Sequence, residues 1–227
     1  MAAPIATEQP TLNRAWEAFL AHVPTMLLIW LASAVLAAAG AVVTWLILLI
    51  GLAAAGSGAS DTIQLLLAAL GQLGQLPFAI LSSLVGVLFV AVPAMHYASG
   101  EVVTVQAAFQ ALMQRPLRYL LAGLLFSVAT ALGILLCVLP GIAVALVAPI
   151  YVNRIFLTDQ SIPDAFAASF QATYRSPNGL SFVAIEILAG LLVLLVSVCS
   201  CGLGALLAVP MSAFYLQNMA YYKGLIS

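Results

Sequence analysis

Six apolar runs, at about 25–50, 78–97, 117–137, 141–158, 179–199 and 203–222, dominate the sequence. Each is close to the roughly 20 residues a helix needs to cross a hydrocarbon core of about 30 Å. Runs of this kind leave little choice of fold, because backbone N–H and C=O groups in lipid must find partners within the segment, and a helix supplies them. The composition agrees, with 65% of the 227 residues hydrophobic and 6% charged. Six Lys and Arg with seven Asp and Glu are too few to keep a domain of this size dispersed in water. The chain therefore reads as an all-α integral membrane protein, one membrane domain over residues 1–227.

The basic residues orient it. Arg14 precedes the first run, Arg115 and Arg118 lie between the second and third, Arg154 and Arg175 between the fourth and fifth, and Lys223 follows the sixth. The other three loops hold none. Lys and Arg in short loops resist translocation, so six spans with both termini cytoplasmic account for the arrangement. The N-terminal "MAAPIATEQPTLNRAWEAF" lacks the basic start, short apolar core and small-residue cleavage site of a signal peptide, so the first span is expected to be retained. A net charge of −1 without clustered cations argues against a nucleic-acid partner.

"CVLPGI" at 137–142 and "CSCGLG" at 199–204 read as tight turns that close helical hairpins. Residues 61–76, "DTIQLLLAALGQLGQL", put Gln64, Gln72 and Gln75 on one helical face, and Gly71, Gly74 and Pro77 weaken a continuous helix. They read as a short interfacial or re-entrant helix before the second span. A single kinked helix over 62–97 is the alternative.

One short stretch recurs: "AWEAFLAHVP" at 15–24, "AAFQALMQRP" at 107–116 and "ASFQATYRSP" at 168–177. Apolar residues at helical spacing predict three amphipathic helices lying in the cytoplasmic headgroup plane. Trp16, Phe19, Phe109, Phe166 and Phe170 would be their aromatic anchors. Pro24, Pro116 and Pro177 would then turn the chain into the membrane. Thr11, Thr104 and Asp164 stand four residues before Ala15, Ala108 and Ala168 as caps or first-turn residues, with Ser161 and Asp164 as an alternative capping box. A second echo, "AVP", "VAP" and "AVP", places kinks at Pro93, Pro149 and Pro210. The expected architecture is three hairpin repeats, about 11–100, 101–160 and 161–223, each preceded by an amphipathic elbow. Gly123, Gly133 and Gly190 would let helices approach closely.

The run "LPGIAVALVAPIYVNRIFLTDQSIPDAFAASFQATYRSPNGL", with the apolar helix, Cys/Gly turn and "AVP" that follow it, resembles uncharacterised bacterial multi-pass proteins related to the membrane domain of glycerophosphoryl diester phosphodiesterases. Residues 139–210 carry the likeness. It implies a PGI-type turn, a kinked helix, an acidic loop, an Ala-rich elbow with Phe where Leu is usual, and a final hairpin. It also implies a bacterial inner-membrane location. No phosphodiesterase activity is implied, since the likeness is to the membrane domain of those proteins and not to a phosphodiesterase domain.

Glu186, inside the fifth run, is the candidate intramembrane polar site, because an ionised carboxylate there costs about 2.5–3.5 kcal/mol on insertion scales. It reads as a proton or cation relay or a ligand contact, the alternative being a protonated Glu that ties helices together. Arg154 reads as a positive-inside anchor, or as a partner of Asp159, Glu186 or a lipid phosphate. Arg115, Arg118 and Arg175 are candidate lipid-headgroup contacts. Cys137, Cys199 and Cys201 fall at equivalent outer ends, where they are either a disulfide or small packing residues. His22 and His96 are too isolated for metal-ligand spacing and read as interfacial polar residues. No H-E-x-x-H, Walker A sequence, triad order or carboxylate pair within a span appears, so no catalytic residue, metal or cofactor is expected. The expected role is a non-enzymatic protein that organises membrane, lipids or partner membrane proteins. A small-molecule, ion or lipid transporter using Glu186 is the alternative.

Overall fold

The structure is a computed structural model that describes residues 3–55 and 60–226. Among these residues every regular element is helical. A 3-10 turn, Pro4–Thr7, precedes α1 (Leu12–Ala21), α2 (Val23–Ala55), α3 (Asp61–Gly86), α4 (Leu88–Ser99), α5 (Val105–Gln114), α6 (Pro116–Leu136), α7 (Val138–Ala145), α8 (Ala148–Leu157), α9 (Ile162–Arg175), α10 (Gly179–Cys199) and α11 (Ala205–Tyr222). Five stretches are long and apolar enough to cross a membrane: Val23–Ala54, Asp61–Ser99, Pro116–Leu136, Val138–Leu157 and Gly179–Cys199. The sixth expected run forms α11 but is not among them. The chain divides into two compact units, Met1–Met26 with Val87–Ser227, and Leu27–Gly86.

The smaller unit holds most of α2 and all of α3. Contrary to the preferred sequence reading, α3 runs unbroken through Pro77, and the interruption comes at Val87. A proline removes one backbone hydrogen bond, whereas ending a helix in an apolar medium would strand several polar groups. The two helices meet through small residues. The Thr44 hydroxyl lies 3.1 Å from the carbonyls of both Gly40 and Gly71, and a methyl group at Gly71 would come within 3.1 Å of the Thr44 methyl. Ser82 donates to the Ser33 carbonyl at 3.1 Å.

In the larger unit the three short helices begin where side-chain oxygens satisfy otherwise orphaned N–H groups. Thr11 accepts from the Arg14 N–H at 3.3 Å, Thr104 from the Ala107 N–H at 3.2 Å and Ser161 from the Asp164 N–H at 3.3 Å. Ser161 also donates to the Asp164 carboxylate at 2.5 Å, a side-chain bond that stands where a capping box would have the carboxylate accept from the Ser161 N–H. The cap of α9 is thus Ser161, and Asp164 lies in the first turn. Counting four residues from each cap gives Ala15, Ala108 and Ala165, all buried. Ala165 therefore takes the place assigned above to Ala168. One turn further on are Phe19, Leu112 and Ser169, also buried. Each helix stops beside its proline, at His22, Arg115 and Ser176.

The core of this unit is built from α4, α8 and α11, which pack on one another. Leu88, Val92, Val147, Ile150 and Phe214 are fully buried there. Around this trio, α1 packs on α11, α5 on α4 and α9 on α8, while α10 pairs with α11 and α6 with α7. Pro93 and Pro210 lie inside α4 and α11 as expected. Pro149 does not kink a continuous helix. It is the second residue of α8, and the chain breaks before it at Leu146–Val147. Gly133 and Gly141 bring α6 and α7 into backbone contact, since a Cβ on Gly133 would sit 2.8 Å from the Gly141 Cα. At Gly123 and Gly190 nothing lies within 4 Å of such an atom, so neither is a close-packing point.

Candidate functional site

Polar side chains in the larger unit gather where α4, α8 and α11 meet. The Asn153 amide of α8 donates to the Gln217 side-chain carbonyl and the Tyr221 hydroxyl of α11, both at 3.1 Å. The Gln217 amide donates to the Pro149 carbonyl at 2.7 Å. That carbonyl stands at the broken start of α8, so the network occupies the interruption in the fourth run. Next along α11, the buried Asn218 amide faces the carbonyls of Ile5, Ala6 and Glu8 at 3.5, 3.0 and 3.4 Å. It ties the N-terminal segment to α11, and Ala3 adds an N–H bond to the Tyr97 carbonyl at 3.2 Å.

A second cluster lies where α1 gives way to α2. His22 and His96, 74 positions apart, meet edge to face with ring centroids 4.8 Å apart, and Phe214 packs against both, 4.9 and 5.9 Å away. Both histidines are buried. Sequence spacing predicts two isolated interfacial residues, whereas the fold brings them together. Among the described residues no three His, Cys, Asp or Glu converge.

Glu186 lies on α10, half-buried, with Oε2 shielded from solvent and without a hydrogen-bond partner. Tyr174 of α9 is its electrostatic neighbour; burial first, and the Glu186 charge second, raise that phenol above its ordinary pKa. The Tyr174 hydroxyl donates to the Ala143 carbonyl at 2.6 Å, so its proton is already committed. Arg154 does not pair with Glu186 or Asp159. It donates to the Leu225 carbonyl at 3.3 Å, and its Nε is buried without a partner.

Asp159 instead pairs with Arg115, both exposed; the hydrogen bond and charge of Arg115 hold the carboxyl below its ordinary pKa. Arg118 caps the end of α8 by donating to the carbonyls of Ile155, Thr158 and Gln160 at 3.4, 2.9 and 2.7 Å. Of the three candidate headgroup contacts, Arg175 alone is exposed without a hydrogen bond or ion pair among the described residues. Lys223, not singled out from sequence, donates to the Ser181 hydroxyl at 2.8 Å.

The aromatic anchors divide. Trp16 is 40% exposed, whereas Phe19 is 3% exposed and belongs to the core. Phe109 is half-buried. Phe166 and Phe170 join a series of rings running Phe126, Tyr151, Phe166, Phe170, Tyr174, with successive centroids 5.1–5.7 Å apart. They pack between helices. Cys137, Cys199 and Cys201 are exposed free thiols, so no disulfide joins any of them, contrary to the first of the two sequence readings.

Two cavities accompany these residues. One of about 80 Å³ lies between α6 and α8 among Tyr119, Phe126, Tyr151 and Phe156. The other, an apolar groove of about 360 Å³, runs between α10 and α11 past Ile185, Ala189, Val193, Ala208 and Tyr215. Glu186 lines neither. The sequence reading does not single out the buried amides, although Gln217 with Asn218, and Asn153 beside Arg154, interrupt apolar runs. Comparison with family models, with curated proteins and with solved structures finds no match for this chain.

Proposed function

We propose that the protein is a non-enzymatic, six-span inner-membrane protein of bacteria that organises the lipids and membrane proteins around it. In this reading α11 is the sixth span, both termini are cytoplasmic, and α1, α5 and α9 are amphipathic elbows of three hairpin repeats. The likeness of residues 139–210 to bacterial multi-pass proteins belongs to the same proposal.

One observation carries it: each elbow docks on the closing helix of another hairpin, α5 on α4, α9 on α8 and α1 on α11. The three elbows thus make the same kind of contact, the first of them with α11, which supports reading them as repeats. The polar residues of α11 also fit. Gln217 and Asn218 are buried in protein, so they lower the hydropathy of the run without facing lipid. Small residues of α1, α5 and α9 face the core, while Leu12, Trp16, Leu20 and Met113 remain exposed for the headgroup layer.

The test is depth. With Trp30 and Trp45 replaced by Phe, Trp16 fluorescence in vesicles should be quenched most by labels near the headgroups and least by labels at the bilayer centre. Strong quenching by central labels, or none by either, would remove the elbow from the interface and the proposal with it.

The unpartnered Oε2 of Glu186 favours a second reading, a transporter of protons, cations or small molecules. Native mass spectrometry of wild type and Glu186→Gln separates the two. A ligand retained by wild type and lost in the variant supports transport, and identical spectra support the organising role.

A further inference from the structure

The loop Gly100–Thr104 between α4 and α5 is held by side chains far away in sequence. His22 places Nδ1 2.7 Å from the Ala18 carbonyl and Nε2 2.9 Å from the Val103 N–H. A carbonyl can only accept, so Nδ1 carries the proton; an N–H can only donate, so Nε2 carries none. Exchanging the two ring nitrogens does not help, because the backbone partners are of opposite kinds. The fold thus specifies a neutral imidazole with both nitrogens engaged, which also leaves no lone pair for a metal. Thr25, three residues on, donates to the Val103 carbonyl at 3.0 Å, so both backbone groups of Val103 are held from the α1–α2 elbow. His96 Nδ1 donates to the Glu101 carbonyl at 2.8 Å, pinning the same loop from α4.

We propose that His22, His96 and Thr25 form an acid-released clasp, in which one proton on His22 Nε2 frees Val103 and lifts the loop from the elbow. The added proton sets two N–H donors head to head, so the bond is replaced by a repulsion. Little around it accommodates the charge. From α4 the ring faces His96, which packs on Tyr97; the Tyr97 carbonyl accepts from the Ala3 N–H, and Arg14 acts on its phenol through charge. From α11 it faces Phe214, from α2 Thr25, and from the loop the backbone of Glu101 and Val103. No carboxylate pairs with either imidazole among the described residues. Burial holds His22 below the ordinary histidine pKa, and the neighbouring His96 lowers it further, against the opposing bond to Ala18. Thr104 caps α5, so release of Val103 unseats the start of that helix. The clasp goes beyond the membrane role proposed above and does not depend on it.

Hydrogen–deuterium exchange of the Gly100–Thr104 peptide in the full-length protein, in lipid nanodiscs at about pH 8 and about pH 5, tests it. Intrinsic amide exchange slows over this interval, so acid opening works against the background. After that correction, Val103 protection should fall by up to about tenfold per pH unit below the His22 titration. His22→Gln keeps an acceptor, Oε1, near the Nε2 position and cannot take up charge, so its protection should stay high at both pH values. Equal wild-type protection at both pH values overturns the clasp, and so does an acid loss in His22→Gln as large as in wild type. Imidazole ¹⁵N spectra of the wild type serve if the variant misfolds: loss of Val103 protection with Nε2 still unprotonated would also overturn it.

Discussion

Gln217 shows how a single buried amide couples α8 and α11. It accepts from Asn153 and donates to the Pro149 carbonyl, so Gln217→Leu removes one hydrogen bond from each, although the Asn153 amide keeps the Tyr221 hydroxyl. Such a loss costs about 1–3 kcal/mol. Reversible unfolding in mixed micelles should show a decrease of that size, and Gln217→Leu combined with Asn153→Leu should cost less than the sum of the single changes. His22 gives a pH dependence with a definite sign. Its folded pKa lies below the unfolded value of about 6.5, so the unfolded chain takes up the proton first. Stability should be level above about pH 6.5 and fall as pH drops below it. A stability that rises on acidification over that interval would contradict the neutral His22 seen here. Neither residue announced its partner in the sequence. A lone polar residue in an apolar run signals a contact, but the contacts join positions 64 and 81 residues apart, and periodicity carries no information at that range.

At the scale of elements, caps and stops were the most legible features. Thr11, Thr104 and Ser161 lie where short-range chemistry alone decides, and the prolines after them end the helices as a missing N–H requires. Replacing a cap by Ala costs about 0.5–2 kcal/mol. Ser161→Ala should fray the start of α9 more than Thr104→Ala frays α5, because the hydroxyl also holds the Asp164 carboxylate; amide exchange over the first turn of each helix measures the difference. α3 was misread for a physical reason: Pro77 and the nearby glycines would end a helix in water, but an apolar surrounding has nothing else to offer the freed backbone groups. The α6–α7 contact depends on two residues without side chains. Gly133→Ala should push these helices apart and destabilise by about 1–3 kcal/mol, whereas Gly123→Ala, with open space around it, should be neutral. Thermal unfolding of the two variants side by side separates the cases.

Across the whole molecule, the apolar runs made the helical class plain, because length and composition suffice for it. Which helix docks on which was not legible, since between lipid-facing helices the choice rests on packing and hydrogen bonds and not on hydrophobicity. The segment held by Asn218 was invisible for the same reason: Ala3 and Ala6 are buried although nothing in "MAAPIATEQP" marks a core. Asn218→Leu should release that segment and make it accessible to protease in detergent, while the helical content stays unchanged. The docking of α1 on α11 sets an order on synthesis. A chain grows at about 5–20 residues per second, so the first short helix leaves the ribosome many seconds before its partner exists. Until then Ala15 and Phe19 have no permanent neighbours on α11. Helix α11 therefore completes the burial of α1, and a chain released before α11 emerges presents the quality-control machinery with an unsealed α1.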